Sequence, residues 1–72
     1  MKLLFAEDDR DVSRAVVTLL ERSNYTVDPV YNGTDALDYL VGGDYDAAVL
    51  DVMMPGMSGI AVVRQARQQG VR

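Results

Sequence analysis

The sequence predicts an α/β fold in which three short strands alternate with three helices, β-α-β-α-β-α, around a parallel sheet of strand order 2-1-3. Three observations predict it. Apolar runs at residues 2–6 and 46–50 each stop at an acid. The segments after each strand carry apolar residues at helical spacing. A further strand-like run, residues 25–31, contains Pro29, which cannot donate a ladder hydrogen bond and therefore belongs at a sheet edge.

The first strand, Lys2 to Ala6, is too short for a helix and is closed by Glu7 and Asp8. Val12, Ala15, Val16, Leu19 and Leu20 then fall on one face of an amphipathic helix, with Arg14, Thr18, Glu21 and Arg22 opposite. Asp8, Asp9 and Asp11 lie near its start, where a carboxylate can cap and the helix dipole favours negative charge. Ser23-Asn24 ends it, and Tyr25 to Tyr31 forms the second strand. Asn32-Gly33 signals a turn. Thr34 is expected to cap a second helix with Ala36, Leu37, Leu40 and Val41 inward, stopped by Gly42-Gly43. Asp46 to Leu50 is the third strand, ending in Asp51. Met54-Pro55-Gly56 reads as a turn with Pro at i+1 and Gly at i+2. The last helix is expected over 58–69, with Ile60, Val62, Val63 and Ala66 inward and Gly70 as terminator.

Length and composition narrow the function. A chain of 72 residues is one domain. Below roughly 70–80 residues a single core rarely supplies more than about 3–5 kcal/mol, so a partner or staple is expected. No staple is present, because the chain has no Cys and no His, which also removes thiolate and His-rich metal sites and histidine acid/base catalysis. A hydrophobic content of 49% fits a globular chain, and a net charge of −4 is a poor match to a non-specific nucleic-acid or membrane surface. No apolar run reaches the length of a membrane helix, and the start is not a signal peptide. A cytoplasmic location is expected.

The acids carry the chemistry. In the order 2-1-3, strands 1 and 3 are neighbours, so Glu7, Asp8 and Asp51 converge at the carboxyl edge of the sheet, where open α/β folds bind ligands. Three adjacent carboxylates repel unless a proton or a cation neutralises them. A site of few oxygen ligands suits Mg²⁺. Screened in this way, Asp51 becomes a carboxylate able to accept a phosphoryl group. Spacing alone leaves open that these acids are solvated loop residues or helix caps.

Leu3-Leu4-Phe5-Ala6-Glu7-Asp8-Asp9 and Ala47-Ala48-Val49-Leu50-Asp51-Val52-Met53-Met54-Pro55-Gly56-Met57-Ser58-Gly59 resemble the receiver domains of two-component response regulators. Tyr31-Asn32-Gly33 with Ala36-Leu37 fits the family's second loop and helix, so the resemblance runs along the whole chain. It implies a flavodoxin-like fold, Asp51 as phosphoacceptor, Asp8 as a direct Mg²⁺ ligand and Glu7 as a ligand directly or through water. It also implies the backbone carbonyl of Met53 as a further ligand and a sensor histidine kinase as partner. Asp9 is expected to start the first helix. A Glu-Asp pair followed by a third acid resembles the winged-helix, DNA-binding class of regulators.

The resemblance also implies two further strands and helices, with a Ser or Thr on the fourth strand and a Lys on the fifth that answer the phosphoryl group. The only lysine here, Lys2, is at the wrong end of strand 1. Residues 1–72 are therefore expected to form a truncated receiver without an output domain, impaired in phosphorylation and binding no nucleic acid directly. Strand 3 is apolar, lacks Pro, and is the strand the family pairs with a fourth. A free edge of that kind templates pairing with another chain. A homo-oligomer through this edge is expected, as a two-fold antiparallel dimer with a six-stranded sheet. Two other readings remain: a self-associating interaction module that is never phosphorylated, and a divalent-ion-binding fragment without a signalling role.

Other features read as structural. Met53, Met54 and Met57 are expected to pack rather than bind a soft metal. Gly56 and Gly59 lack the full glycine pattern of a dinucleotide site, and Asp8-Asp9-Arg10-Asp11 lacks the glycine and glutamate of a calcium loop. Tyr25, Tyr31, Tyr39 and Tyr45 are expected to be half-buried, and Arg64, Arg67 and Arg72 to be a solvated helix face.

Overall fold

The computed structural model describes residues 1–71. The expectation for Arg72 lies outside the described residues. The elements run β1 (Lys2–Ala6), α1 (Arg10–Arg22), β2 (Thr26–Val30), α2 (Gly33–Gly42), β3 (Ala47–Leu50) and α3 (Gly59–Gln68). All strands are parallel, in the order β2-β1-β3. Phe5 pairs with Pro29 on one side and with Val49 on the other, so Pro29 does sit at an edge, where its missing N–H costs no ladder bond.

Alternation along β1 divides the core. Leu3 and Phe5 join Val27 on one face, against Val16, Val17 and Leu20 of α1. Leu4 and Ala6 join Val30 on the other, against Ala36 of α2 and Val62 of α3. One helix on one face and two on the other is what right-handed crossovers require.

Local chemistry ends each helix. Asp9 caps α1, its carboxylate accepting from the N–H groups of Asp11 and Val12 at 3.0 and 3.2 Å. At the other end Asn24 adopts φ 68°, with Asn24 N–H donating to the Glu21 carbonyl and Tyr25 N–H to that of Leu20. Gly70, at φ 90°, closes α3 in the same way: its N–H donates to the Arg67 carbonyl, and that of Val71 to Ala66. Both are Schellman endings, satisfying carbonyls the helix leaves free. The expected Thr34 cap is corrected. Asn32 caps α2 instead, its side-chain oxygen 2.8 Å from the Asp35 N–H, and Gly33 is already helical. Asn offers a short side-chain acceptor as Thr does, two positions earlier, so α2 starts two residues sooner than expected.

The inward faces are also corrected. On α1, Val12 and Leu19 are 44% and 62% exposed, and Ala15 is exposed too. The packed stripe is Ser13, Val16, Val17 and Leu20. Val41 of α2 and Ile60 and Val63 of α3 are exposed, while Val62 and Ala66 are buried. The physical reason is the width of the sheet: each helix meets only one or two strands, so half of its apolar stripe has no described element against it. Tyr39 is exposed, whereas the other tyrosines are half-buried. Met53 is 79% exposed, while Met54 and Met57 pack on the core as expected. Arg64 and Arg67 are solvated.

Candidate functional site

Both acid-ended strands deliver their acids to the carboxyl edge of the sheet. The ladder continues past each strand end. Glu7 N–H donates to the Val30 carbonyl at 3.1 Å, and Asp51 N–H donates to the Ala6 carbonyl at 3.0 Å. Glu7 and Asp51 are therefore held by backbone bonds on adjacent strands, while Asp8 and Asp9 have left the sheet. Carboxylate oxygens of Glu7, Asp8 and Asp51 all lie within 4.8 Å of one another. Glu7 and Asp51 are half-buried and Asp8 is exposed. Asp9 is not in the group; its carboxylate is committed to the helix cap.

Crowding shows in the proton balance. The Glu7 carboxyl is held above its ordinary range, first by the hydrogen bond it shares with Asp51, then by desolvation, with hydrogen bonding to Asp8 and the charge of Asp51 adding to the rise. The Asp8 N–H, 2.9 Å from a Glu7 oxygen, pulls in the other direction. Crowding thus makes the Glu7 carboxyl hold a proton more readily than an ordinary glutamate. An oxygen-only donor set with surplus negative charge fits a small hard divalent ion.

The loop after β3 shapes the mouth of the site. Met53 N–H donates to an Asp51 oxygen at 3.3 Å, placing Met53 directly beside the acid, with its side chain in solvent. Gly56 has φ 80°, as the expected turn requires. The turn closes tighter than expected, with Met57 N–H on the Pro55 carbonyl. The loop is pinned at both ends: Gly33 N–H donates to the Pro55 carbonyl at 3.1 Å, and Gly59 N–H to the Val52 carbonyl at 3.0 Å. A Cβ at Gly33 would collide with the Met57 carbonyl, and one at Gly59 with the Asp51 carbonyl. These two glycines let α2 and α3 press against the loop that carries Asp51. Sequence reasoning treated Gly33 as a turn residue and gave Gly59 no packing role. The only available signal was their place at the starts of helices.

A three-stranded parallel sheet with an all-carboxylate cluster at its carboxyl edge defines an open α/β protein with an acidic group that could hold a metal ion. The chain matches the model of the response regulator receiver domain over residues 3–72, and it belongs to that family. Receiver domains are regulatory signalling modules of two-component systems. Among curated proteins the chain is similar to the transcriptional regulatory protein DltR of Streptococcus agalactiae, with 38% identity over 71 residues, covering 99% of this chain and 32% of DltR. Among solved structures it is similar to response regulator TrrA from Thermotoga maritima in complex with Mg²⁺-BeF. There the TM-score is 0.89 at 30% identity, covering 96% of this chain and 60% of that one. It is also similar to a chain in the structure of histidine kinase ThkA in complex with response regulator TrrA, with TM-score 0.85, 31% identity, and coverage of 93% and 58%. The chain therefore spans about a third of DltR and somewhat over half of the receiver structures.

Proposed function

We propose that residues 1–72 act as the first three βα units of a receiver that takes a phosphoryl group on Asp51. The observation that carries this reading is the placement of Asp51, half-buried, with its carboxylate among those of Glu7 and Asp8. One Asp51 oxygen forms the new O–P bond as the bond from phosphorus to the donor breaks, and the electron pair leaves on the donor. That donor is the phosphohistidine of a sensor histidine kinase, a partner supported by the similarity to the ThkA–TrrA complex, or a small acyl phosphate. Glu7, Asp8, Asp51 and the Met53 backbone carbonyl would hold Mg²⁺, a reading supported by the donor set and by the Mg²⁺-BeF complex of TrrA. A bound Mg²⁺ supplies the charge screening that lets one anion approach another. The protein's own part is to position Asp51 through its backbone bond to Ala6 and to hold one carboxylate oxygen with the Met53 N–H. Any catalysis is of its own modification. The reading places the chain in the cytoplasm with its kinase, and no described helix is long and apolar enough to cross a membrane.

Lys2 stacks over the Tyr45 ring at 4.8 Å, at the opposite edge of the sheet. No lysine of the 72 residues therefore assists the transfer, and labelling should be slow. Intact-mass measurement after incubation with acetyl phosphate and Mg²⁺ tests the proposal. One phosphoryl group should be gained, and Asp51→Asn should abolish the gain. Labelling that persists in Asp51→Asn refutes it.

A second reading, pairing of two copies along β3, is favoured by one observation. Val49 is 50% exposed on a strand bonded only to β1, next to exposed Val52 and Ile60. Sedimentation across a concentration series should show a dimer that Val49→Pro dissociates; a folded monomer at high concentration overturns it.

A further inference from the structure

Between α1 and the outer edge of β2 lies a groove of about 280 Å³ whose lining includes none of Glu7, Asp8 and Asp51. Arg10, Ser13, Arg14 and Val17 line it from the helix, and Pro29 and Tyr31 from the strand side. Three features distinguish it from an ordinary surface crease. First, it is rich in donors: two guanidiniums stand one turn apart on the same flank of α1. Second, the Arg10 guanidinium is already positioned, stacked over the Tyr31 ring at 3.9 Å. Third, Ser13 is only 1% exposed, and its hydroxyl has no hydrogen-bond partner. A buried hydroxyl without a partner forfeits the hydrogen bonds it would make to water. A helical serine ordinarily avoids this by bonding to the carbonyl four residues back, as Thr18 does to Arg14 at 2.8 Å.

The remaining charges define polarity. Asp9 is committed to the cap, and Glu21 closes the far end of the groove. The end near Arg10 thus presents guanidinium and hydroxyl donors, although the chain as a whole carries a net charge of −4. Pro29 withholds an N–H from the strand edge, so a ligand here is read by side chains rather than added as a further strand.

We propose that this groove is a binding site for a small oxyanion, a carboxylate or a phosphate, held by Arg10 and Arg14 with the Ser13 hydroxyl as a third donor. The planar fork of arginine matches both oxyanions. None of the donors it uses belongs to the Glu7, Asp8 and Asp51 cluster.

The test is an amide NMR titration of the full chain in metal-free buffer without chelator, with acetate in one arm, inorganic phosphate in another, and chloride at matched ionic strength as control. Saturable shifts are expected at Ser13, Arg14 and Tyr31, with dissociation constants on the order of millimolar for so small an anion. The tighter arm identifies the oxyanion. Arg14→Gln should weaken binding about tenfold and Ser13→Ala a few-fold, as expected for charge-assisted and neutral hydrogen bonds respectively. Ser13→Ala keeps helix propensity, so it decides the matter if Arg14→Gln does not fold. Shifts that chloride reproduces, that fail to saturate, or that survive in both variants overturn the proposal.

Discussion

The two edges of the sheet handle their acids in opposite ways. At the amino edge, Asp28 accepts from the Tyr45 hydroxyl at 2.7 Å, and Asp46 accepts from the Lys2 backbone N–H at 2.7 Å, with the Lys2 ammonium over the Tyr45 ring. Asp28 and Asp46 thus each have a donor of their own. The Tyr45 phenol is pushed up to about 12, by burial first and then by its bond to Asp28, so it stays a donor across the physiological range. At the carboxyl edge, the carboxylates of Glu7, Asp8 and Asp51 crowd within 4.8 Å of one another, and the Glu7 carboxyl is raised above its ordinary range, first by Asp51. The amino edge is a finished structural latch, and the carboxyl edge is a site that a cation would complete.

The largest expected effect that breaks this comparison is at Asp8. Asp8→Asn should weaken Mg²⁺ binding by at least about tenfold, because removing one carboxylate from a divalent site costs more than a neutral contact. Asp28→Asn should leave affinity unchanged. Calorimetry reads both, and equal effects would mean that the two edges do not differ as described.

Gly33→Ala comes next. Its Cβ meets the Met57 carbonyl, and forcing volume into a packed contact typically costs about 1–3 kcal/mol. Urea denaturation should show the loss, and amide shifts at Asp51 should move with it, because the same contact seats the loop.

pH sharpens the comparison further. The folded Glu7 carboxyl binds its proton more tightly than the unfolded one. The stability this contributes is present below the ordinary glutamate range and is lost as pH rises through the raised folded value. In EDTA the chain should therefore lose stability as pH rises above the ordinary glutamate range, while Mg²⁺ affinity increases over the same interval because the ion displaces the proton. Denaturation curves with and without Mg²⁺ should converge at the acid end; parallel curves would remove Glu7 from the site.

The smallest effect is Tyr45→Phe, which should cost roughly 1 kcal/mol for one hydrogen bond to a partly buried carboxylate, with Mg²⁺ affinity unchanged.

Much of this was legible in the residues. Helical spacing located α1 and α3 to within a residue or two, Pro29 placed β2 at an edge, and the acids at the ends of β1 and β3 named the cluster before any coordinate. The Glu7-Asp8 and Asp51-to-Gly59 motifs named the family. The errors have one origin. Val12, Ala15 and Leu19 satisfy the same period as Val16 and Leu20, so periodicity alone cannot select which half of a wide stripe the sheet covers. Thr34 and Asn32 are both capping residues, and which one caps depends on how far α2 advances onto the loop from β3.

The sequence by itself determined element order, the position of the edge proline, the convergence of Glu7, Asp8 and Asp51, and the receiver resemblance. These follow from period, turn chemistry and topology, which act over a few residues or through the rules of parallel sheets. Only the tertiary structure decided that the Glu7 carboxyl is raised by its contact with Asp51 while Asp9 is committed to a cap, that Gly33 and Gly59 seat the Asp51 loop, and that Arg10, Ser13 and Arg14 share a groove with Tyr31. Each of these depends on a distance between side chains or backbone from different elements, and such distances are set by packing rather than by local sequence.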